Sequence, residues 1–234
     1  METLVSSVAT LITYVHFLWI DIPFLWYTIV RNFSSLSFRG GNMKILAING
    51  SHRKGSTLIL LQEALKELSE FETEILSLSD YKLEYCKVCN ACKRNGGICV
   101  VKDGYGEIAK KMKEADAIIV GSPVYFGSIT GMLKTLFDRS RTLRVNWDLK
   151  DKVCAAIAVG ATKHGGQEHT LQAIHAWALI HGMILVADSD PTAHFGCAAI
   201  SKQVEDKFEI DDWGLQTARS VGKRVREILT MLKR

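Results

Sequence analysis

The sequence predicts an α/β domain in which a doubly wound, five-stranded parallel sheet is covered by helices on both faces. Two observations carry that prediction. Downstream of Met43, short apolar runs alternate with longer amphipathic stretches, the pattern of repeated βα units. The short runs are nearly continuous in apolar residues rather than alternating, as strands buried on both faces require. Composition agrees: of 234 residues, 47% are hydrophobic, 23% are charged and 3 are proline, the balance of a globular chain with a substantial core.

The first strand is KILAIN (44–49), entered directly at Met43. TEILSL (73–78), AIIVGS (117–122), VCAAIAVG (153–160) and MILVA (183–187) supply the other four. Helices are expected near Thr57–Ser69, Tyr105–Ala115, Ile129–Arg141, Gln167–His181 and Trp213–Leu232. In the last, Ala218, Val221, Val225, Ile228, Leu229 and Leu232 recur at helical spacing and mark a packed outer helix. Right-handed crossovers between parallel strands give a flavodoxin-like or a Rossmann-like order, and both bind ligands at the strand C-termini where the order reverses. The loops after the first, third and fourth strands therefore decide function.

Residues 1–42 read differently from this domain, which spans 43–234. The run from Leu11 to Val30 is long enough to span a bilayer, with Asp21 as its only formal charge. Asp21 costs about 3 kcal/mol on insertion scales and Pro23 removes a helix hydrogen bond, so both weaken a membrane span. A cleaved signal peptide fits poorly, because no basic region precedes the apolar run. If the run inserts, Arg31, Arg39 and Lys44 hold the main domain in the cytoplasm. The competing reading is a start-site artefact ahead of a Ser/Gly-rich linker at 33–42.

The formal charge of +4, from 29 basic and 25 acidic residues, is too balanced to make nucleic acid a leading partner. Six cysteines, four of them between Cys86 and Cys99, follow metal-site spacing rather than a secreted disulfide framework, which points to a reducing, cytoplasmic setting. Cys154 and Cys197 lie outside that group and are expected to pack as buried side chains.

The loop after the first strand, NGSHRKGST, leads straight into a helix and carries two glycines, the hydroxyls of Ser51, Ser56 and Thr57, and Arg53. Free N–H groups and the helix dipole favour an anion there. It is neither a P-loop nor a dinucleotide fingerprint, lacking both Gly-Lys-Ser/Thr and G-x-G-x-x-G. A helix merely capped by Ser56 is the plainer alternative.

Together, MKILAINGSHRKGST and the later GSPVYFGSITGMLKTLFDR resemble the NADPH-dependent FMN reductase superfamily, flavodoxin-like proteins that bind FMN. The resemblance implies strand order 2-1-3-4-5. It assigns Ser51, Arg53, Ser56 and Thr57 to the FMN phosphate, with Gly55 allowing close backbone approach. It places Pro123, Val124, Tyr125, Phe126 and Gly127 along the ribityl chain and isoalloxazine, where backbone amides would tune the flavin. Tyr125 and Phe126 have an alternative as core aromatics. The third loop, ATKHGGQEHT, resembles the glycine-containing turn near the flavin pyrimidine, with Gly165 and Gly166 as backbone contacts and His164 a weaker candidate. His169, His175 and His181 have no metal spacing and read as surface or packing residues.

The sequence CKVCNACKRNGGIC places Cys86, Cys89, Cys92 and Cys99 in the spacing C-x2-C-x2-C-x6-C after the second strand. Three cysteines at successive two-residue gaps, and a fourth after the turn at Gly96 and Gly97, suit a compact 4Fe-4S cluster. Zinc, a disulfide and free thiols remain alternatives. Within an FMN reductase-like domain, the motif resembles the iron-sulfur flavoproteins of archaea and anaerobic bacteria, over about residues 43–200. That resemblance implies a homodimer or a dimer-based tetramer, with each cluster approaching an FMN. FMN takes one electron or two and such a cluster takes one, so the expected role is electron transfer from a one-electron donor, ferredoxin, through cluster and FMN to a small acceptor such as dioxygen, peroxide or a quinone. Lys87, Lys93, Arg94 and Lys102 form a positive field that could steer an acidic ferredoxin or simply offset cluster charge. A direct NAD(P)H-dependent FMN or quinone reductase is the alternative, and a signalling module with a zinc knot a more distant one. No side chain stands out as a proton-transfer catalyst.

Overall fold

The computed structural model describes residues 43–204 and 207–233. The apolar run at 11–30, and with it the expected membrane segment, lies outside the described residues; among those described, no helix is long and apolar enough to cross a membrane.

The first four strands are β1 (Lys44–Asn49), β2 (Glu72–Ser77), β3 (Ala117–Pro123) and β4 (Val153–Gly160). They pair in parallel in the order β2-β1-β3-β4, with Ile45 opposite Ala117 and Ala117 opposite Val153. The expectation of five strands in the order 2-1-3-4-5 is corrected beyond this point, because the fifth position is shared by two pieces of chain. MILVA contributes only β5 (Ile184–Leu185), which pairs with the first two residues of β4. After Val186 the chain leaves the sheet into a turn whose amides find other acceptors: Ser189 N donates to Ser220 Oγ at 2.8 Å and His194 N to Asp188 Oδ1 at 2.6 Å. The far half of the β4 edge is paired by β6 (Cys197–Val204), also in parallel. The outer end of β6 then pairs antiparallel with β7 (Lys207–Ile210), giving a seven-stranded sheet.

Helices cover both faces. These are α1 (Ser56–Leu65), the single turn α2 (Ala91–Arg94), α3 (Tyr105–Glu114), α4 (Gly131–Arg139), α5 (Arg141–Val145), α6 (Gln167–Ile180) and α7 (Asp212–Leu232). Alternation along the strands decides which core each residue joins. Leu46, Ile48, Ile118 and Val120 face α3, α4 and α6, meeting Ile108, Met112, Leu136 and Ile174. Ile45, Ala47, Ile119 and Ile157 face α1 and α7, meeting Leu60, Leu61, Val221 and Val225. In the first core, Phe137 and Trp177 stack with ring centres 4.3 Å apart. The helix expected over 129–141 is broken at Ser140 into α4 and α5.

Candidate functional site

The loops after β1, β3 and β4 meet at the C-terminal ends of the strands, as doubly wound topology dictates. In the first, Gly50 N donates to Gly121 O at 2.8 Å, tying the loop to the end of β3. Ser51 is buried; its amide donates to Asn49 Oδ1 at 3.2 Å, and its hydroxyl accepts from Arg53 N at 3.1 Å. The helix-capping alternative for Ser56 is not what forms: Gly55 occupies the cap of α1, and no side chain bonds the first-turn amides. An uncapped helix N-terminus retains donors for an anion. Thr57 is buried in that first turn, its methyl against Gly121.

The second loop turns tightly. Tyr125 and Ser128 exchange backbone hydrogen bonds at 2.9 and 3.1 Å around Phe126 and Gly127, both at positive φ. A bulky residue in that region is strained, and such strain gathers at functional sites. Phe126 is fully exposed and Tyr125 43% exposed, so neither is a core aromatic. Pro123 closes β3, Val124 N donates to Val159 O at 2.9 Å, and Ser122 Oγ accepts from Thr130 N at 3.3 Å. Thr130 is wholly buried. It caps α4 by accepting from Leu133 N at 3.1 Å and donates to Gly50 O at 2.7 Å, so one hydroxyl joins the first and second loops.

The two glycines of the third loop differ. Gly166 has φ of 105°, and a Cβ there would stand 2.6 Å from Gly127 Cα, so the second and third loops touch backbone to backbone. Gly165 has ordinary backbone, and its amide donates to Gln167 Oε1 at 2.9 Å. His52 stacks on Tyr125 with ring centres 6.2 Å apart, linking first loop to second. All twelve residues assigned to the flavin thus lie in three loops that meet one another or in the strand end and helix turn that flank them. Beside the third lies a cleft of about 690 Å³ lined by Lys163, His164, His169 and Trp213. His181 is buried against Ser140, His175 is half-buried and His169 is exposed, in keeping with surface or packing roles.

Sequence reasoning missed one side of this site. The β6–β7 hairpin lies on the first loop: Gln203 Oε1 accepts from Arg53 Nη1 at 2.8 Å, and Ser201 Oγ is 2.6 Å from Ser56 Oγ. The Phe208 ring packs on Gly55, where an added Cβ would meet the ring tip at 2.6 Å. The period-two alternation of charged and apolar residues in KFEI is the signal that could have revealed a strand there.

The cysteines occupy an irregular segment between β2 and α3. Cys86, Cys92 and Cys99 are partly buried and Cys89 is exposed; no two of the six cysteines are joined in a disulfide. Among the described residues, no three or more His, Cys, Asp or Glu side chains are gathered to hold a metal ion. The donor set itself suits a sulfur-ligated centre, being four thiols with no carboxylate or histidine between 86 and 99. The segment is fastened to α4 and α5. Asn146 Nδ2 donates to Gly96 O at 2.8 Å, Arg141 Nη2 to Asn90 Oδ1 at 2.8 Å, and Arg139 Nη2 to Cys99 Sγ at 3.3 Å. Asp103 receives Arg139 and the amides of Glu84 and Tyr105. Burial opposes its charge, yet those donors hold its carboxyl below the usual range. Cys154 and Cys197 are fully buried elsewhere, burial pushing each thiol up to about 12, as inert packing residues.

The sequence profile of the NADPH-dependent FMN reductase family matches residues 43–196. The chain is 50% identical over 195 residues to an iron-sulfur flavoprotein of Methanocaldococcus jannaschii, covering 82% of this chain and all of that one. It is 41% identical over 196 residues to an iron-sulfur flavoprotein of Methanosarcina thermophila, covering 82% and 98%. Among solved structures, it is similar to the flavodoxin, WrbA-like protein from Agrobacterium tumefaciens, with a TM-score of 0.59 at 20% identity, over 82% of this chain and 100% of that one. An NAD(P)H:quinone oxidoreductase from Methanothermobacter marburgensis gives 0.57 at 17%, over 78% and 96%. The fold is therefore flavodoxin-like, and the chain belongs to the iron-sulfur flavoproteins within the NADPH-dependent FMN reductase family.

Proposed function

We propose that this protein is an electron-transfer flavoprotein that holds FMN in the three loops and a 4Fe-4S cluster on Cys86, Cys89, Cys92 and Cys99. The observation that carries the reading is the joining of the loops: Thr130 binds the first to the second, and Gly166 closes the third on Gly127. FMN exchanges one electron or two and an iron-sulfur cluster exchanges one, so the pair would convert between one-electron carriers and a two-electron acceptor.

The protein's part is positioning. The uncapped first turn of α1, with Ser51, Ser56, Thr57 and Arg53, would hold the phosphate. The amides of 124–127 would lie along the ring system, and Gly165 and Gly166 at its pyrimidine end. Exposed Lys87, Lys93, Arg94 and Lys102 give the cysteine segment the positive face an acidic ferredoxin would meet. Tyr85, Val88, Ile98 and Val100 beside them are large, apolar and exposed, as is Phe126, and a second copy of the chain would cover such surface.

The test is the content of iron, sulfide, zinc and FMN in one anaerobic preparation. About four iron and four sulfide per FMN is expected for this cluster type. Zinc with FMN, or neither metal, would overturn the cluster assignment. Cys92→Ala should lose the cluster and keep FMN. Cluster reduction by ferredoxin should slow steeply with salt, and size-exclusion chromatography with light scattering should report a dimer or larger.

A second reading, direct reduction of the flavin by NAD(P)H, draws on the cleft lined by Lys163, His164 and Trp213, which is open and large enough for a nicotinamide. Rapid flavin bleaching on stopped-flow mixing with NADPH would favour it over a ferredoxin donor.

A further inference from the structure

The last residue of α4 places a charge where charge is costly. The Arg139 side chain is only 1% exposed, and a buried cation without partners costs several kcal/mol. All of its partners come from the chain that brackets the cysteines. Nη1 pairs with Asp103 and donates to Glu84 O at 3.0 Å; Nη2 donates to Cys99 Sγ at 3.3 Å and Val101 O at 3.5 Å. The guanidinium lies 4.4 Å from the centre of the Tyr105 ring. Asp103 alone would compensate the charge, and the backbone carbonyls alone would staple the segment. Neither explains a donor spent on sulfur. A neutral thiol is a weak acceptor, whereas a thiolate makes a charge-assisted bond. Nε, also buried, has no acceptor among the described residues.

We propose that Arg139 is a positioning residue for the iron-sulfur centre, fixing Cys99 and setting a buried positive charge against its sulfur so that the centre accepts an electron at a higher potential. This rests on reading 86–99 as the cluster loop. When one electron enters from a donor such as dithionite, no bond forms or breaks and the negative charge of the centre rises by one. Asp103 offsets part of the guanidinium's charge, but Nη2 touches the sulfur directly, so the positive end of the pair stabilises the reduced form more than the oxidised form. Solvent screens the exposed Lys87, Lys93 and Lys102, but not Arg139.

The experiment compares wild type, Arg139→Lys and the neutral pair Arg139→Gln/Asp103→Asn, the double change avoiding a stranded carboxylate. Folding is checked by circular dichroism, iron and sulfide are counted, and the cluster midpoint is read by dithionite titration followed by EPR. The neutral pair should hold iron with its reduced-to-oxidised ratio at a fixed potential lowered about tenfold, which is 59 mV for one electron. Arg139→Lys, which keeps the charge but loses the fork, should recover part of that shift. Independently of any variant, wild-type protein carrying 15N-guanidinium arginine should show a 15N coupling to the reduced cluster in pulsed EPR. Iron-loaded variants with an unchanged midpoint, or iron-loaded wild type without the coupling, would overturn this inference alone. Iron-free wild type would overturn it together with the cluster reading.

Discussion

Two adjacent glycines that look equivalent in the sequence should respond very differently to the same methyl group. At Gly166 the backbone sits at φ of 105°, and a Cβ would stand 2.6 Å from Gly127 Cα and 3.2 Å from its carbonyl carbon. Backbone cannot swing aside as a side-chain tip can, so Gly166→Ala must push the third loop off the second. The left-handed conformation costs an L-residue about 1–2 kcal/mol, and the overpacking adds about 1–3 kcal/mol. A loss of about 2–4 kcal/mol lowers the melting temperature of a domain this size by about 5–15 °C. At Gly165 the backbone is ordinary, and the nearest atom to an added Cβ is the Thr162 hydroxyl at 3.1 Å. Gly165→Ala should therefore cost below about 1 kcal/mol, within the range of small surface changes. Thermal unfolding without flavin reads the stability term, and quenching of FMN fluorescence on titration reads the binding term. Gly166→Ala should weaken FMN binding at least tenfold more than Gly165→Ala, each factor of ten being about 1.4 kcal/mol. Equal melting temperatures for the two variants would refute the contact between the loops.

Gly222→Ala should be worse still for stability, about 3 kcal/mol or more, because a Cβ there would lie 2.0 Å from Ala64 O and force α7 off α1; a denaturant midpoint equal to wild type would contradict that packing. Burial holds the His181 imidazole down at about 4, so between about pH 6.5 and 4 the unfolded chain takes up a proton that the folded one refuses. Stability should be full above that window and fall by about 3 kcal/mol across it on acidification, and His181→Asn should flatten urea midpoints measured over the same range. Cys197→Ala removes a buried thiol whose sulfur donates to Gly214 O at 3.3 Å; it should cost about 1 kcal/mol and leave the iron content at the wild-type value, in contrast to Cys92→Ala.

The parts of the fold that were legible are those where local pattern and tertiary role coincide. KILAIN and VCAAIAVG form strands at the expected residues because continuous apolar runs have few other uses beside helices that cover both faces. MILVA carries the same signal, but the edge of β4 accepts only its second and third residues, and the remaining pairing falls to CAAI, an alanine-rich stretch with weak strand character. Nothing local announces that choice, since it is made by the competition for one edge. The site divides along the same line. Loops at the ends of parallel strands must converge, so the meeting of the loops that carry Ser51, Thr57, Gly127 and Gly166 followed from topology, while the choice of those residues came from the family resemblance. Ser201, Gln203 and Phe208 reach the first loop only through the hairpin. Arg139 reads as an ordinary solvated charge at the end of a helix until the fold brings Asp103 and Cys99 onto it.

The divided fifth strand also sets a timetable for the nascent chain. As the protein leaves the ribosome, β1 to β4 can assemble, yet the half of β4 from Ile157 to Gly160 stays open until Cys197 to Ile200 have been made, roughly forty residues later. At about 5–20 residues per second, that edge is bare for several seconds, an apolar stretch with free N–H and C=O groups. The early piece, Ile184–Leu185, pairs only at the opposite end of β4 and leaves this half exposed. Intermolecular pairing during synthesis would therefore begin at the C-terminal half of β4, and an arrested chain ending before Cys197 should be the one that aggregates.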